Sequence, residues 1–291
     1  DIDTMRQRIA DDLEAVRAAQ HTVVEAKAAL EAQAEELTRS NRDLEQFAYV
    51  ASHDLQEPLR KVASFCQLLQ RRYGGQLDEK ADQYIDFAVD GAQRMQRLIN
   101  DLLAFSRIGR RPPEPVAVDL GAVMQTVSGQ LDSGRRSVGG EIRWQELPVV
   151  AGEESLICTV LTNLVANALK FRRPDEPPVV EVAARRDGAF WEVTVRDNGI
   201  GIAPEYADKV FVIFQRLHGR DAYPGTGIGL AIVKKIVEYH GGRVWLEPPA
   251  ADGPTGTTMR FTLPALSDAT EPAQSTVPEP GRSDTPEESA A

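Results

Sequence analysis

A seven-residue repeat of apolar side chains at the start of the chain restricts its possible folds more than any other feature. The repeating positions are Ile2, Ile9, Val16, Val23, Leu30, Leu37, Leu44 and Ala51. A stripe with this period predicts one long helix that pairs with a partner helix in a coiled coil. The companion positions between Met5 and Phe47 are mostly small or polar. The sequence therefore predicts a weakly held coiled-coil helix over residues 1–46.

The next periodic region, residues 47–108, predicts two helices joined by a tight turn. The first helix should bury an apolar stripe formed by Leu44, Phe47, Ala51, Leu55, Pro58, Val62, Phe65 and Leu69. Two glycines between Tyr73 and Asp78 end this helix, and Asp78 is a suitable N-cap for the second. Because two helices bury too little surface alone, we expect an antiparallel hairpin that dimerises into a four-helix bundle.

One titratable side chain, His53, stands out in the first helix. It lies two residues from both Ala51 and Leu55, so helical geometry directs it away from the apolar stripe and towards solvent. Asp54 follows directly, and Glu57 lies one turn further on. A histidine beside an aspartate is most often an ordinary surface residue. The helix alone does not separate that interpretation from chemistry at the imidazole.

Composition excludes several classes of protein. The net charge of -11 and the pI near 5.0 argue against a nucleic-acid partner, which needs an electropositive surface. The two cysteines, Cys66 and Cys158, form no CxxC pair and suit a reducing compartment. No apolar run approaches the roughly 18 residues of a membrane span. We therefore expect a cytoplasmic chain, and its start at Asp1 without methionine suggests a piece of a longer protein.

The remaining sequence divides into three segments. A proline-rich stretch predicts a stiff linker over residues 109–118. Residues 119–264 mix helical and strand patterns and predict an α/β domain. Residues 265–291 are rich in Ser, Pro, Thr, Ala and acidic residues, which predicts a disordered acidic tail.

A helix predicted between Glu153 and Phe171 has an unusual polar face. That face carries Asn163, Asn167 and Lys170 at helical spacing. Such a face is usually only solvated, but asparagine is a poor helix former on an exposed surface. Two amide oxygens and an ammonium group are also suited to Mg²⁺ and phosphate oxygens.

A predicted strand ends at Asp197 and is followed by Asn198, Gly199, Ile200 and Gly201. Alternation places Asp197 on the same side as Val193 and Val195, where a carboxylate needs a hydrogen-bond donor. A local turn could supply that donor, and so could the exocyclic amine of a bound adenine. The strand alone leaves both alternatives open.

A second glycine-rich stretch, residues 224–231, opens a predicted helix. Glycines at a helix start let backbone N–H groups approach phosphate, although this spacing matches neither a Walker A loop nor a dinucleotide-binding turn. Residues 210–218, between the two glycine motifs, have the sequence VFVIFQRLH. A polar stretch follows them. That stretch could close over a nucleotide.

Taken in order, these motifs resemble the two-domain core of sensor histidine kinases from about residue 37 to residue 263. The sequence SHDLQEPLR resembles the phosphoacceptor box of the phytochrome-like branch, and NLVANALKF resembles the N-box. DNGIGI, GTGIGLA and GPTGTT resemble the three glycine boxes, and FVIFQRLH resembles the F-box. Six boxes in the order of the family make the resemblance specific.

The resemblance implies roles for individual residues. His53 is expected to accept the phosphoryl group and Asp54 to act as its base, although Glu57 shares the helix face of His53 more closely. Asn167 is expected to bind Mg²⁺, with Asn163 and Lys170 at the phosphates, and Asp197 to bind adenine. The other expected ATP-contacting residues are Gly199, Gly201, Arg216, Gly225, Thr226, Gly227, Gly229, Leu230 and Thr257.

The resemblance also implies the architecture and the reaction. We expect a coiled coil, a dimeric helical hairpin and a Bergerat-type α/β sandwich that binds ATP. The expected reaction is autophosphorylation of His53, followed by transfer to an aspartate in the receiver domain of a response regulator. Residues 1–9 resemble part of the second helix of a HAMP relay domain, which implies a membrane sensor upstream, with this chain as its cytoplasmic part. The alternatives are an ATPase of the same nucleotide-binding fold, or a scaffold without phosphotransfer.

One position departs from the family. Many of its members carry Thr or Asn four residues after the histidine, where the side chain positions water to hydrolyse the phosphorylated partner. This chain has Glu57 there. A carboxylate repels a phosphoryl group and donates no hydrogen bond, so we expect weak phosphatase activity.

Overall fold

The structure is a computed structural model that describes residues 2–109, 115–217, 219, 223, 225–248 and 256–266. Within the first helix it leaves out the side chains of residues 2–4, 6–19, 23, 34, 37, 38, 40–45, 47–49, 51 and 53. The predicted acidic tail lies outside the described residues from residue 267 onward. Contacts divide the chain into two compact units, one within residues 1–112 and 201–239 and the other within 113–200 and 240–291.

The first unit contains a helical hairpin. Helix α1 spans Ile2–Tyr73 without interruption, with Pro58 inside it, and α2 spans Glu79–Arg107. The predicted turn is confirmed, since Asp78 caps α2 by accepting a hydrogen bond from the backbone N of Ala81 at 2.8 Å. The helices are antiparallel: Gln70 of α1 donates to Asp86 of α2, and Gln56 donates to Asn100.

The hairpin buries a different face from the one that the apolar pattern predicts. Its interior contains Leu59, Ala63 and Ala92, with Ile99 packed against them. The predicted stripe is largely exposed, with Leu55, Val62, Phe65 and Leu69 between 46% and 66% exposed. Two helices cover only one side of each other, so an apolar face remains for a further partner.

The same unit also contains residues 201–239. Two short 3-10 helices, Pro204–Tyr206 and Lys209–Phe211, precede helix α5, which spans Gly229–Tyr239. Helix α5 contacts α2. The ammonium group of Lys235 in α5 lies 4.3 Å from the ring centre of Phe105 in α2, a cation–π distance.

The second unit is built on a five-stranded sheet. The strands are β2 (Glu141–Trp144), β4 (Val179–Asp187), β5 (Phe190–Asp197), β6 (Val244–Leu246) and β7 (Thr258–Pro264). Their order is β2-β4-β5-β7-β6, and only the β2–β4 pair is parallel. A separate antiparallel pair joins β1 (Val116–Asp119) to β3 (Val149–Gly152). Strand β1 therefore begins inside the segment expected to be linker, where Val116 and Val118 alternate with smaller or polar residues.

Helices α3 (Leu120–Ser137) and α4 (Glu154–Lys170) pack against each other and against this sheet, which makes an α/β sandwich. The core between the layers is apolar. Its members include Leu120, Met124, Ile157, Leu161, Val165, Val180, Val193 and Phe261, all fully or almost fully buried. Among the described residues, no helix has the length and apolarity needed to cross a membrane.

On β5, Glu192 alternates with Val193 and so faces away from that core. Glu192 is nevertheless buried, because Arg260 of β7 and Arg185 of β4 both bond its carboxylate. Arg260 also bonds Glu247 at 2.8 Å. A buried carboxylate with two cationic partners is satisfied, so this cluster connects neighbouring strands.

Candidate functional site

The predicted phosphoacceptor turn lies in the continuous part of α1. His53 is helical, and its side chain lies outside the described residues, so its predicted exposure stays a prediction. Asp54 is exposed. Glu57 is also exposed and pairs with Lys61, with 2.8 Å between carboxylate oxygen and ammonium nitrogen. Gln56 of the same turn donates to Asn100 of α2 at 2.8 Å.

Helix α4 carries the predicted metal and phosphate residues in the second unit. Asn163, Asn167 and Lys170 are half-buried on one side of it. The amide nitrogen of Asn163 donates to the carbonyl of Thr159 at 2.9 Å, and the ammonium group of Lys170 lies 4.1 Å from the ring centre of Phe171. The polar face is therefore only partly open to solvent.

The residue that supports the other end of α4 was not predicted from the sequence. Glu153 precedes this helix and makes no side-chain capping bond. Its backbone N instead donates to Nε2 of buried His240 at 3.0 Å. An unpaired N–H at a helix start is costly when buried, so His240 anchors α4. The two residues are 87 positions apart, which no local pattern reveals.

Asp197 ends β5 with its carboxylate held in one orientation. Its Oδ1 accepts from the backbone N of Gly199 at 2.8 Å and from that of Thr257 at 3.0 Å, and the Thr257 side chain also hydrogen-bonds the carboxyl. Burial raises the pKa of Asp197 above its usual value, and these hydrogen bonds oppose the rise. The local turn considered as an alternative thus exists, and it orients the carboxyl group.

Two glycines let the backbone close tightly around Asp197. A Cβ at Gly199 would lie 2.4 Å from the carbonyl oxygen of Phe171, and one at Gly256 would lie 1.9 Å from that of Asp197. Gly256 also has a φ of +145°, which side chains disfavour. We refer to residues 197–200 with 256–257 as the Asp197 corner.

The Asp197 corner is joined to the C-terminal end of α4. The backbone N of Ile200 donates to the carbonyl of Phe171 at 3.0 Å, and the N of Phe171 donates to the carbonyl of Asn167 at 2.9 Å. The structure therefore brings Asp197, Gly199 and Thr257 close to the part of α4 that carries Asn167 and Lys170.

Asn198, which was not singled out from the sequence, anchors the same corner. Its amide oxygen accepts from the backbone N of Val179 at 2.8 Å, and its amide nitrogen donates to the carbonyl of Pro177 at 3.0 Å. Both bonds connect the corner to the start of β4. The Asp-Asn-Gly sequence was a signal for this turn, but not for its partners.

The other predicted nucleotide residues belong to the first unit. Gly201 has a φ of +77° at the start of this segment. Arg216 directs its guanidinium group to backbone carbonyls, at 2.7 Å from the oxygens of both Gly225 and Tyr223. These bonds fold the chain between the F-box and the second glycine box. The guanidinium group of Arg216 therefore binds backbone carbonyls in this structure, and its contact with phosphate stays a prediction.

Residues 225–228 form what we call the glycine loop, which leads into α5 at Gly229 and half-buried Leu230. Gly225 and Gly227 have φ values of +151° and +79°. The carbonyl of Gly227 accepts from the backbone N of Phe214 at 3.0 Å. A Cβ at Gly227 would come within 3.0 Å of the carbonyl oxygen of Gln215, so glycine permits this close approach.

Thr226, in the middle of the glycine loop, has an unexpected partner. Its hydroxyl donates to Oδ2 of Asp101 in α2 at 2.6 Å. The backbone N of Ile228 approaches the same hydroxyl oxygen at 3.4 Å. Asp101 was not among the predicted site residues, and 125 positions separate it from Thr226.

Two families match separate parts of the chain. Residues 43–111 match the His Kinase A (phospho-acceptor) domain. Residues 152–267 match the family described as histidine kinase-, DNA gyrase B-, and HSP90-like ATPase. The matched regions contain the predicted phosphoacceptor histidine and the predicted nucleotide residues, respectively.

The chain is also similar to individual curated proteins. The chain is 46% identical over 231 residues to cyanobacterial phytochrome A of Nostoc sp. strain PCC 7120, covering 79% of the chain and 30% of that protein. It is 32% identical over 243 residues to the methanogenesis regulatory histidine kinase FilI of Methanothrix harundinacea, covering 83% and 27%. The chain thus spans less than a third of the length of these curated relatives.

Solved structures show the same fold. Full-length ShkA in complex with AMPPNP is similar with a TM-score of 0.58 and 26% identity, over 75% of this chain and 45% of that one. ThkA in complex with the response regulator TrrA is similar with a TM-score of 0.54 and 20% identity, over 78% and 65%. From the family matches, the relatives and the fold together, the chain contains the two domains of a histidine kinase core, a phosphoacceptor domain followed by an ATP-binding domain.

Proposed function

We propose that this chain transfers the γ-phosphoryl group of ATP to His53, and then to an aspartate in the receiver domain of a response regulator. The observation that carries the nucleotide part is the half-buried, oriented carboxylate of Asp197 beside the polar end of α4. We further propose domains at residues 1–46, 47–108 and 119–264, which is compatible with the family matches at 43–111 and 152–267.

Adenine recognition is assigned to Asp197. Its Oδ1 already accepts two backbone hydrogen bonds, so the carboxyl group is held without help from a ligand. A carboxylate has further acceptor positions, which suit the exocyclic amine of adenine. Because burial raises the pKa of Asp197, the charged form gains from an additional donor. Gly199 and Thr257 serve this site by fixing the carboxylate.

The phosphates are assigned to α4 and to the glycine loop. Asn167 offers an amide oxygen for Mg²⁺, with Asn163 and Lys170 at phosphate oxygens. Among the described residues there is no group of three or more His, Cys, Asp or Glu side chains that would form a full metal site. The amide oxygen of Asn167 is compatible with Mg²⁺, because this ion often binds through one or two protein ligands, waters and substrate phosphates. Bound Mg²⁺ would neutralise phosphate charge.

At the glycine loop and the start of α5, Gly225, Gly227 and Gly229 would let backbone N–H groups approach phosphate, and Thr226 would add a hydroxyl. Leu230 lies in the first turn of α5, a helix whose N-terminus favours anions. Gly201 is assigned to the turn before the covering segment. Arg216 would have to exchange its present carbonyl partners to contact a phosphate.

At the phosphoacceptor, a ring nitrogen of His53 would attack the γ-phosphorus while the bond to the bridging oxygen breaks and ADP leaves. The second ring nitrogen carries the proton that must be lost or shared as positive charge develops. A carboxylate stabilises that charge, and we assign this role to Asp54. Glu57, the other carboxylate of this turn, pairs with Lys61.

The exposed stripe of Leu55, Val62, Phe65 and Leu69 supports a homodimer through the hairpin. The complex of ThkA with TrrA supports, by analogy of fold, a receiver domain as the second partner. A sensor module outside this chain would supply the stimulus. Since ATP is the phosphoryl donor, we propose the cytoplasm as the location.

The test is labelling with ATP that carries a radioactive γ-phosphate. We expect label on the wild-type protein that is lost in acid and kept in alkali, as for a phosphorylated imidazole, and no label on His53→Ala. His21→Ala is the matched control, because His21 is an exposed histidine of the same helix. Acid-stable label, or label that survives His53→Ala, contradicts the assignment. ATP hydrolysis without label favours the ATPase alternative.

A further inference from the structure

The hydrogen bond between Asp101 and Thr226 is not explained by adenine binding or by phosphoryl transfer. It connects the middle of the glycine loop to α2, with 2.6 Å between the hydroxyl oxygen and the carboxylate oxygen. We propose that Asp101 is a latch, which holds the glycine loop on α2 in an arrangement that opposes phosphate binding. The proposal rests on the proposed function in one respect, that the glycine loop binds the phosphates of ATP.

The hydroxyl proton of Thr226 already has an acceptor. A threonine hydroxyl has one proton to donate. In this structure it is donated to the carboxylate of Asp101, so it is not available to a phosphate oxygen. The backbone N–H of Ile228 also points towards the same hydroxyl, at 3.4 Å. One side-chain donor and one backbone donor of the glycine loop are therefore directed to protein atoms.

Arg216 is also bound to backbone atoms near the glycine loop. Its guanidinium group donates to the carbonyl of Gly225, the first residue of the glycine loop, and to that of Tyr223, two positions before it. A guanidinium is the preferred side chain for phosphate, but here its donors satisfy backbone carbonyls. The cation that the family places near phosphate thus stabilises the latched loop.

The charge of Asp101 also opposes phosphate binding at the glycine loop. The Asp101 carboxylate lies within hydrogen-bond distance of a residue that has glycines on both sides. Phosphates bound to those glycines would carry charge of the same sign a few ångströms away, and like charges repel more strongly where water is partly excluded. Asp101 is itself half-buried. Phosphate binding and the latch therefore weaken each other.

A second contact supports the same placement. Phe105 lies four residues after Asp101 on α2, so both side chains lie on one helix face. Lys235 of α5 lies over the Phe105 ring at 4.3 Å. The glycine loop and the helix that follows it thus contact α2 at two successive turns, and the latch is part of a defined surface.

The experiment compares the 291-residue protein with Asp101→Ala, which removes the acceptor, and Asp101→Asn, which removes the charge but keeps an acceptor oxygen. Asp90→Asn is the control, because Asp90 is an exposed aspartate of the same helix. Affinities for ATP and for adenosine are measured by calorimetry. We expect Asp101→Ala to bind ATP roughly 5-fold more tightly, and Asp101→Asn to lie in between.

Adenosine separates the latch from a general effect on the site. It has no phosphates, so we expect its affinity to be the same in all four proteins, and Asp90→Asn to match the wild type for both ligands. ATP affinity that is unchanged or weaker in both Asp101 variants overturns the proposal, as does an equal gain for adenosine. If Asp101→Ala fails to fold, Asp101→Asn decides the outcome.

Hydrogen exchange tests the latch without relying on nucleotide binding. Without ligand, we expect the backbone amides of residues 225–239 to exchange several-fold faster in Asp101→Ala than in the wild type. Unchanged exchange there means that Asp101 does not hold the loop. If the wild type binds neither ATP nor adenosine, the proposed function fails, and the exchange result still decides whether the latch exists.

Discussion

The Asp197 corner and the glycine loop are both predicted to contact the nucleotide, but they are held in place by different means. The Asp197 corner is fixed by backbone donors and by two glycines with no room for a Cβ. The glycine loop has one backbone hydrogen bond, from the N of Phe214 to the carbonyl of Gly227, and is otherwise held by the side chains of Arg216 and Thr226, which bond carbonyls and a carboxylate. Side-chain bonds of this kind can exchange one acceptor for another, whereas a backbone packed without space cannot.

This difference indicates a division of tasks. Adenine has no net charge and does not change during the reaction, so a fixed acceptor for its exocyclic amine suits it. The phosphates change during the reaction, and a loop with exchangeable bonds can bind and release them. Single substitutions in the two regions can test this contrast.

Asn167→Ala should remove nearly all Mg²⁺-dependent labelling, because the amide oxygen proposed for the metal is lost. The affinity for adenosine should stay within about twofold of the wild type, since the bonds around Asp197 do not involve that side chain. The measurements are incorporation of label and calorimetric titration with adenosine. Gln125→Ala, an exposed amide on α3, is the control for both. Normal labelling in Asn167→Ala would move the metal to another residue.

Gly256→Ala should destabilise the protein by about 2–4 kcal/mol, because the new Cβ would collide with the backbone of Asp197 at a φ that side chains disfavour. Gly129→Ala is the matched control, since no atom lies within 4 Å of its Cβ position in α3. There we expect stabilisation of up to about 1 kcal/mol. Urea unfolding measures both changes. Equal stability of the two variants would show that the corner is not rigid.

Asp197→Asn should weaken adenosine binding by roughly 10- to 100-fold, because an amide group replaces part of the acceptor surface that faces adenine. The fold should survive, since the amide oxygen can still accept from Gly199 and Thr257. Asp187→Asn, at the exposed end of β4, is the control in calorimetry. Wild-type affinity in Asp197→Asn would place adenine elsewhere.

The same variant has a predicted pH dependence. Because burial raises the pKa of Asp197 in the folded protein, its contribution to stability is present below the unfolded pKa of about 3.9 and is lost as the pH rises through the folded pKa. Asparagine does not titrate. The stability of Asp197→Asn relative to the wild type should therefore increase from about pH 4 upward and then level off. Urea unfolding over that range checks the sign.

Glu57→Ala should have the smallest effect. The pair with Lys61 is exposed on both sides, so the free energy of unfolding should change by less than about 0.5 kcal/mol. We also expect wild-type protein and Glu57→Ala to leave the loss of label from a phosphorylated receiver domain equally slow. Lys61→Ala is the control. If the wild type speeds that loss severalfold and Glu57→Ala abolishes the effect, the argument from charge is wrong.

Local patterns predicted the elements better than their partners. The polar helix expected over residues 153–171 is Glu154–Lys170, and the strand expected to end at Asp197 does so. Both rest on periodicity, which acts within a few residues. The bonds from His240 to Glu153 and from Thr226 to Asp101 span 87 and 125 positions. Such pairings depend on how elements pack, and no motif encodes them.

In the hairpin, the helices were predicted correctly, but the face that this chain buries was not. Helical spacing correctly predicted two helices and their turn, but Leu55, Val62 and Phe65 are exposed where burial was expected. The interior of the hairpin contains Leu59 and Ala63, which lie on a different face of α1 from this stripe. A periodic pattern predicts that an apolar stripe is buried. It does not show whether the surface that covers the stripe belongs to the same chain.

The continuity of α1 sets a rule for building chimeric proteins. This helix has 72 residues and is therefore about 108 Å long, with residue 53 about 77 Å from its start. An input module fused to that end would be phased to His53 by residue count alone. One added residue turns the junction by about 100°, whereas seven added residues turn it by only about 20°. Linkers that differ by whole heptads should behave alike, and intermediate lengths should divide into active and inactive fusions.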